Sequence, residues 1–200
     1  ILNAGNSGTL SRLIMGLLIH STKKIKIKGD SSLSKRDFLR ITQPLEKFGA
    51  IFKTNSGKLP ISITGTNAPQ AINYLENKGS AQCKSAVLLA ALNTPGVTTI
   101  KAKKSRDHSE RIFKYLNLPI QIKKKNNYDL IKFKGRSKIK PLNYKIPSDI
   151  SSSAFFIVLT ALSKNSKLKI KNVNINPTRV GILKILKKMN IKIKIKNFKS

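Results

Sequence analysis

The chain has one cysteine, no tryptophan and only 8 acidic residues among 200. A single thiol, Cys83, excludes an internal disulfide framework and any zinc site built on several cysteines, and it reads as a small core residue. No uninterrupted apolar run approaches the roughly 18–20 residues of a membrane span. The longest runs, Leu13–Ile19, Ala86–Leu92 and Ala154–Leu162 (the last broken by Thr160), read as buried helix segments. Aromatic residues make up 6% of the chain, which offers few platforms for stacking single-stranded bases. There is no signal-peptide pattern. The chain opens Ile-Leu-Asn-Ala without Met and closes inside a basic alternating stretch, so it is expected to be a piece of something longer.

What the chain has in excess is positive charge: 40 Lys+Arg against 8 Asp+Glu, a formal charge of +32. The apolar share of 40% is enough for a core, so the charge does not imply disorder, and the length suits one or two domains. A nucleic-acid-binding module is the first functional class such a charge suggests. Three features weaken it. Seven of the cations are Arg and 33 are Lys, whereas groove and phosphate readers favour the guanidinium fork. The lysines are spread along the chain. They also alternate with isoleucine at Lys24–Lys28 and Ile191–Lys196, the period-2 pattern of half-buried strands with Ile inward and Lys in water. Most of the charge is thus a solvated face, and the abundance of Lys, Ile and Asn matches an AT-rich coding sequence. The nucleic-acid alternative would require retention on duplex DNA with a steep salt slope.

One plan recurs three times: a small or polar turn, an apolar helix, an alternating strand, a loop carrying Arg, an amphipathic helix and further strands. In the first unit Asn6-Ser7-Gly8-Thr9 opens the helix around Leu13–Ile19. The strand Lys24–Lys28, the loop Gly29–Arg36 and the helix Phe38–Phe48 follow. The second runs from Gly79-Ser80-Ala81-Gln82 through the helix Ala86–Leu92, the strand Val97–Ala102 and the loop ending Ser105-Arg106-Asp107 to a helix near Ser109–Leu116. The third has Ser151-Ser152-Ser153, the helix Ala154–Leu162, the strand Lys167–Lys171, the loop Asn174–Arg179 and the helix Val180–Met189. The loop arginines fall at 36, 106 and 179, and the helix starts near 8, 80 and 152. Helix N-termini with hydroxyl or amide residues, followed by an Arg before another helix, suit phosphate and carboxylate groups. Taken singly, each of these sites reads first as ordinary helix capping; it is the repetition with Arg at corresponding places that favours anion binding.

The ordered motifs Asn6-Ser7-Gly8-Thr9-Leu10-Ser11-Arg12, Gly29-Asp30-Ser31-Ser32-Leu33-Ser34-Lys35-Arg36, Ser80-Ala81-Gln82-Cys83-Lys84-Ser85-Ala86, Ser105-Arg106-Asp107-His108-Ser109-Glu110 and Asn176-Pro177-Thr178-Arg179 resemble the EPSP synthase family, in its class II bacterial form. The resemblance covers nearly the whole chain. It implies an α/β fold: an inside-out α/β barrel of repeated βαβαββ units in a two-domain enzyme. Residues 1–147 would belong to the first domain and 148–200 would begin the return into the second. The implied reaction transfers the enolpyruvyl group of phosphoenolpyruvate to the 5-hydroxyl of shikimate 3-phosphate and releases phosphate, with no metal or organic cofactor. The resemblance also implies a cytoplasmic monomer whose partners are those two small molecules rather than nucleic acid or membrane.

Residue by residue, the resemblance places Gly8 and Arg36 at phosphoenolpyruvate. It places Ser80, Ala81 and Arg106 at shikimate 3-phosphate, and Gln82 at both. Plainer roles remain open: Gly8 starting a helix, Arg36 pairing with Asp37, Ser80 capping, Arg106 bridging to Asp107 or Glu110. Arg12 and Arg179 read as braces at helix ends, and His108 as a loop or cap residue. The chain departs from the family pattern in having Asp37 for the common Pro, Ser148 and Ile150 for Gly and Pro, and Asn190-Ile191 for Gly-Ala. The family's N-terminal Lys-Ser…Arg segment and the Asp, Glu, Arg and Lys that complete catalysis are expected outside these 200 residues, so the chain alone is expected to be inactive. A related alternative is UDP-N-acetylglucosamine enolpyruvyl transferase. That family usually carries a reactive cysteine in the loop corresponding to Gly29–Arg36, which has none here.

Overall fold

Alternating strands and capped apolar helices assemble, in a computed structural model that describes residues 1–196, into two compact units, Ile1–Lys140 and Pro141–Ser200. The first unit contains the same βαβαββ plan twice. Its first copy is β1 (Leu2–Asn3), α1 (Gly8–Leu18), β2 (Ile25–Lys28), the short α2 (Ser31–Ser34), α3 (Leu39–Glu46), β3 (Ile51–Asn55) and β4 (Lys58–Thr64). The second is β5 (Asn73–Glu76), α4 (Ala81–Ala91), β6 (Val97–Lys103), α5 (His108–Tyr115), β7 (Ile120–Lys124) and β8 (Tyr128–Lys134). The sheets have matching orders, β1-β2-β4-β3 and β5-β6-β8-β7. In each, the first two strands are parallel across a helical crossover and the others antiparallel.

Period-2 alternation sets which face of each strand is buried. Ile27 on β2, Leu59, Ile61 and Ile63 on β4, and Ile100 and Ala102 on β6 are buried, while Lys26 and Lys28 on β2, Lys58 on β4, and Lys101 and Lys103 on β6 face water. Ser56 and Gly57, both at positive φ (49° and 73°), close the tight β3–β4 hairpin between Asn55 and Lys58. Helix α4 is buried nearly all round, through Cys83, Ala86, Val87, Leu88, Ala90 and Ala91, which places it at the centre of the unit. Cys83 is a buried free thiol, as its composition context suggested.

Helices α1 and α4 pack side by side and run the same way. Arg12 meets Gln82, Gly16 lies on Ala86, and His20 Nε2 is 2.9 Å from the Ala90 carbonyl. A Cβ on Gly16 would sit 2.2 Å from the Ala86 carbonyl oxygen, so this approach requires glycine. Gly65 and Gly135, after β4 and β8, press likewise on the carbonyls of Ile19 and Thr94 at the ends of α1 and α4.

The second unit holds α6 (Ile150–Leu162) and α7 (Gly181–Lys188), with one parallel bridge between Ser148 and Val173. Arg179 does brace a helix start: its Nη2 donates to Asp149 Oδ1 at 3.1 Å and to Ser151 Oγ, at the head of α6. Two expected strands do not form. Lys167–Lys171 is exposed coil, and 191–196 follows α7 as coil. Alternation selects two faces but does not supply a neighbouring ladder, and among the described residues neither segment has one.

Candidate functional site

The parallel packing of α1 and α4 brings two helix N-termini to the same end of the first unit, so two positive dipole ends and their N–H groups lie together. Each start is set by a serine. Ser7 Oγ accepts from Leu10 N at 3.1 Å, and Ser80 Oγ accepts from Cys83 N at 3.3 Å. Ser80 is therefore a cap, and its hydroxyl hydrogen is still available to donate to an anion. Capping and ligand contact are compatible there.

Gly8 is the first residue of α1 and is buried. A Cβ at Gly8 would lie 3.2 Å from Arg36 Nη1, 3.3 Å from Arg12 Nη1 and 3.5 Å from Leu33 Cδ1. Two guanidinium groups therefore flank the turn. Arg36 is brought there by α2, a helix within the stretch expected to be only a loop. Asp30 builds it, its Oδ1 accepting from Leu33 N at 2.7 Å and its Oδ2 from Asn6 Nδ2 at 2.5 Å. These bonds hold the Asp30 carboxyl below its ordinary range, the Leu33 backbone bond contributing most and the Asn6 amide next. Leu33, fully buried, seats α2 against Gly8.

Arg36 itself is exposed, and among the described residues it forms no ion pair. Asp37 instead accepts from Leu39 N at 2.8 Å and starts α3. The Asp37 carboxylate thus serves the backbone rather than Arg36.

Arg12 does more than brace a helix. It is 7% exposed, lies 5.3 Å from the Phe38 ring centroid, and donates from Nη1 to Gln82 Oε1 at 2.7 Å. Gln82 Nε2 in turn donates to Thr9 Oγ1 at 2.8 Å. Because arginine only donates, it fixes the amide oxygen of Gln82 toward Arg12 and the NH2 toward Thr9, both on α1. Burial, then the nearby Arg40 and, more weakly, Arg36, hold Arg12 below its ordinary value. Two guanidinium groups, Arg12 and Arg36, thus put positive charge beside Gly8, and Arg40 adds to the field at Arg12. In the sequence, a lone Arg inside an apolar helix opening was the available sign of this role.

Arg106 is exposed in the loop ahead of α5. That loop lies beside the start of α4, because a Cβ on Gly79 would be 3.4 Å from the Lys104 carbonyl oxygen. Each bridging partner considered for Arg106 holds another cation: Asp107 pairs with Arg111 at 3.1 Å and Glu110 with Lys84 at 2.5 Å. Nothing in the sequence alone pairs Lys84 with Glu110, 26 residues further on. His108 is the first residue of α5. The structure thus gathers Gly8, Arg36, Arg12 and Gln82 in one contiguous set, with Ser80 and Ala81 opening the same helix as Gln82.

Comparison with known proteins gives one consistent result. Residues 1–200 match the family model described as EPSP synthase (3-phosphoshikimate 1-carboxyvinyltransferase). The chain is similar to proteins named 3-phosphoshikimate 1-carboxyvinyltransferase from Endomicrobium trichonymphae (42% identical over 98% of this chain and 45% of that protein) and Petrotoga mobilis (44% over 100% and 46%). The protein of the same name from Bacillus subtilis is 39% identical over 98% of this chain and 45% of its own length. A solved EPSP synthase from Acinetobacter baumannii superposes with a TM-score of 0.79 at 39% identity, over 94% of this chain and 42% of that one. The chain spans less than half the length of the curated relatives it matches.

Proposed function

The chain belongs to the EPSP synthase family, and from that premise we propose that it supplies the substrate-orienting part of a 3-phosphoshikimate 1-carboxyvinyltransferase of class II. The enzyme is cytoplasmic and monomeric, and its reaction uses no metal or organic cofactor. Residues 1–147 lie in the first of two inside-out α/β barrel domains, and 148–200 begin the return into the second. The methylene carbon of phosphoenolpyruvate is protonated and the 5-hydroxyl of shikimate 3-phosphate attacks the adjacent carbon. The resulting tetrahedral intermediate then expels phosphate. In this reading the groups that move the protons lie outside these 200 residues, whose own work is to hold two anions side by side.

Arg36 clamps phosphoenolpyruvate with a planar fork, and the missing Cβ of Gly8 lets backbone N–H groups approach it. Ser80 donates its hydroxyl hydrogen to shikimate 3-phosphate, Ala81 offers its amide at the helix start, and Arg106 adds charge from the neighbouring loop. Gln82, between the two anions, presents an amide already oriented by Arg12 and Thr9. The observation that carries the reading is this bond set, Arg12–Gln82–Thr9, which locks the two repeats' helix N-termini together. Fixed positions turn a bimolecular encounter of two like-charged substrates into a reaction between held neighbours.

The test is steady-state phosphate release by the full-length enzyme. Arg36→Lys keeps the charge and loses the fork, and should cost about 1.5–3 kcal/mol in kcat/KM for phosphoenolpyruvate, the scale of a charged hydrogen bond. Unchanged kinetics would remove Arg36 from the site. The 200-residue chain alone is expected to release no phosphate above a no-enzyme control.

A further inference from the structure

We propose that the buried Lys84–Glu110 pair is a positioning strut for the shikimate 3-phosphate side of the site, an inference that rests on the reading just given. Lys84 is fully buried in α4, a helix whose other buried residues are apolar or small. Its Nζ lies 2.5 Å from Glu110 Oε1, with the two side chains 1% and 4% exposed. Taking both ions out of water carries a desolvation penalty, so an apolar pair of similar volume would hold the core at least as well. What the ion pair adds is direction: two groups held at one distance on one line.

The next residues of the same two helices repeat the link. Ser85 Oγ is 2.6 Å from Ser109 Oγ. Two consecutive residues of α4 thus grip two consecutive residues in the first turn of α5. Ser80 caps α4 four residues, about one helical turn, before Lys84, and Arg106 stands in the loop four residues before Glu110, so each end of the strut lies just inside a helix entered from a proposed contact to shikimate 3-phosphate. Gly8 and Arg36 belong to the first repeat, and the strut does not touch them. A general loss of packing would disturb both substrates alike; a strut at this place disturbs shikimate 3-phosphate through Ser80 and Arg106, and phosphoenolpyruvate only through Gln82.

The experiment uses the full-length enzyme carrying Lys84→Met together with Glu110→Leu, a change that removes both charges and strands neither. The melting temperature should stay at or above that of the unsubstituted enzyme. The KM for shikimate 3-phosphate should rise about 10- to 100-fold, the scale of a displacement near 1 Å, while that for phosphoenolpyruvate, which meets α4 only at Gln82, rises much less. An unchanged KM for shikimate 3-phosphate in a stable double variant overturns the strut, and so does an equal rise for both substrates. Ser85→Ala, which breaks the second link without touching a charge, should give a smaller rise with the same selectivity even if the double variant fails to fold; no rise there overturns the proposal. Arg106→Ala and Ser80→Ala report on the underlying reading. If they leave shikimate 3-phosphate unaffected, the placement of that substrate fails. If they weaken it while the double variant does not, only the strut fails.

Discussion

At Gly8 the space for a side chain is bounded by two arginines of unequal freedom. Arg12 is held by Gln82 and Phe38, whereas Arg36 is exposed and makes no ion pair among the described residues. An alanine methyl 3.2–3.3 Å from both tips must therefore displace Arg36. Glyphosate, which the family resemblance places in the phosphoenolpyruvate site, is slightly longer than the substrate and should suffer more from that shift. The full-length enzyme should be glyphosate-sensitive. Gly8→Ala should raise the inhibition constant against phosphoenolpyruvate more than it raises the KM; equal inhibition of the two proteins would take Gly8 out of the pocket. Asp30 yields a prediction in pH. Its folded pKa is lowered, so its contribution is present above the unfolded value of about 3.8 and is lost as pH falls through the lower folded value. The stability difference between the unsubstituted chain and Asp30→Ala, measured by urea unfolding, should be largest near neutrality and shrink in acid. A difference independent of pH would mean that the carboxylate does not hold α2.

Among the elements, helices were the most legible part of the fold. Apolar runs opened by Ser7 and Ser80 forecast α1 and α4, because a hydroxyl cap and a helical apolar stripe are both local signals. Within the site, Gly8, Ser80 and Gln82 could be placed on their helices from the same signals. The strand expected at Lys167–Lys171 was not legible in the same way, since its pattern says nothing about a partner. The role of Arg12 depended on which residue of the second repeat would lie 70 positions away in sequence and one helix away in space. In sequence Lys84 is one lysine among 33, and only the fold brings Glu110 to it. The α1–α4 seam itself can be tested. Gly16→Ala gains up to ~1 kcal/mol of helix propensity, but its methyl meets the Ala86 backbone, an overpacking that typically costs about 1–3 kcal/mol. The net effect should be a lower denaturation midpoint, and a stabilised variant would contradict the close approach.

For the molecule as a whole, the charge is more lopsided on the surface than in the composition. Three of the eight acids, Glu76, Glu110 and Asp129, are buried, so solvent-facing lysines and arginines have few carboxylates to answer them. Self-repulsion of this kind opposes the compact state and is screened by salt. Stability in denaturant should rise as ionic strength increases from about 10 to 150 mM. Phosphate should stabilise more than chloride at equal ionic strength, because it can also occupy the helix N-termini around Gly8 and Ser80. A response identical for the two salts would indicate screening without a site.

The glycine contacts bear on how this sequence can drift. A coding sequence that moves toward adenine and thymine tends to lose glycine codons to those of serine, aspartate, glutamate or arginine, and the chain retains 11 glycines beside 33 lysines. At Gly181 no atom lies within 4 Å of a would-be Cβ, and the residue is not among those at positive φ, so such a replacement meets no wall. At Gly16, Gly65 and Gly135 the obstacle is a backbone carbonyl 1.8–2.3 Å away, which no change of rotamer can clear. Mutational pressure is stopped there by the chain's own main chain, so a library of random variants selected for folding should keep glycine at those three positions while Gly181 scatters.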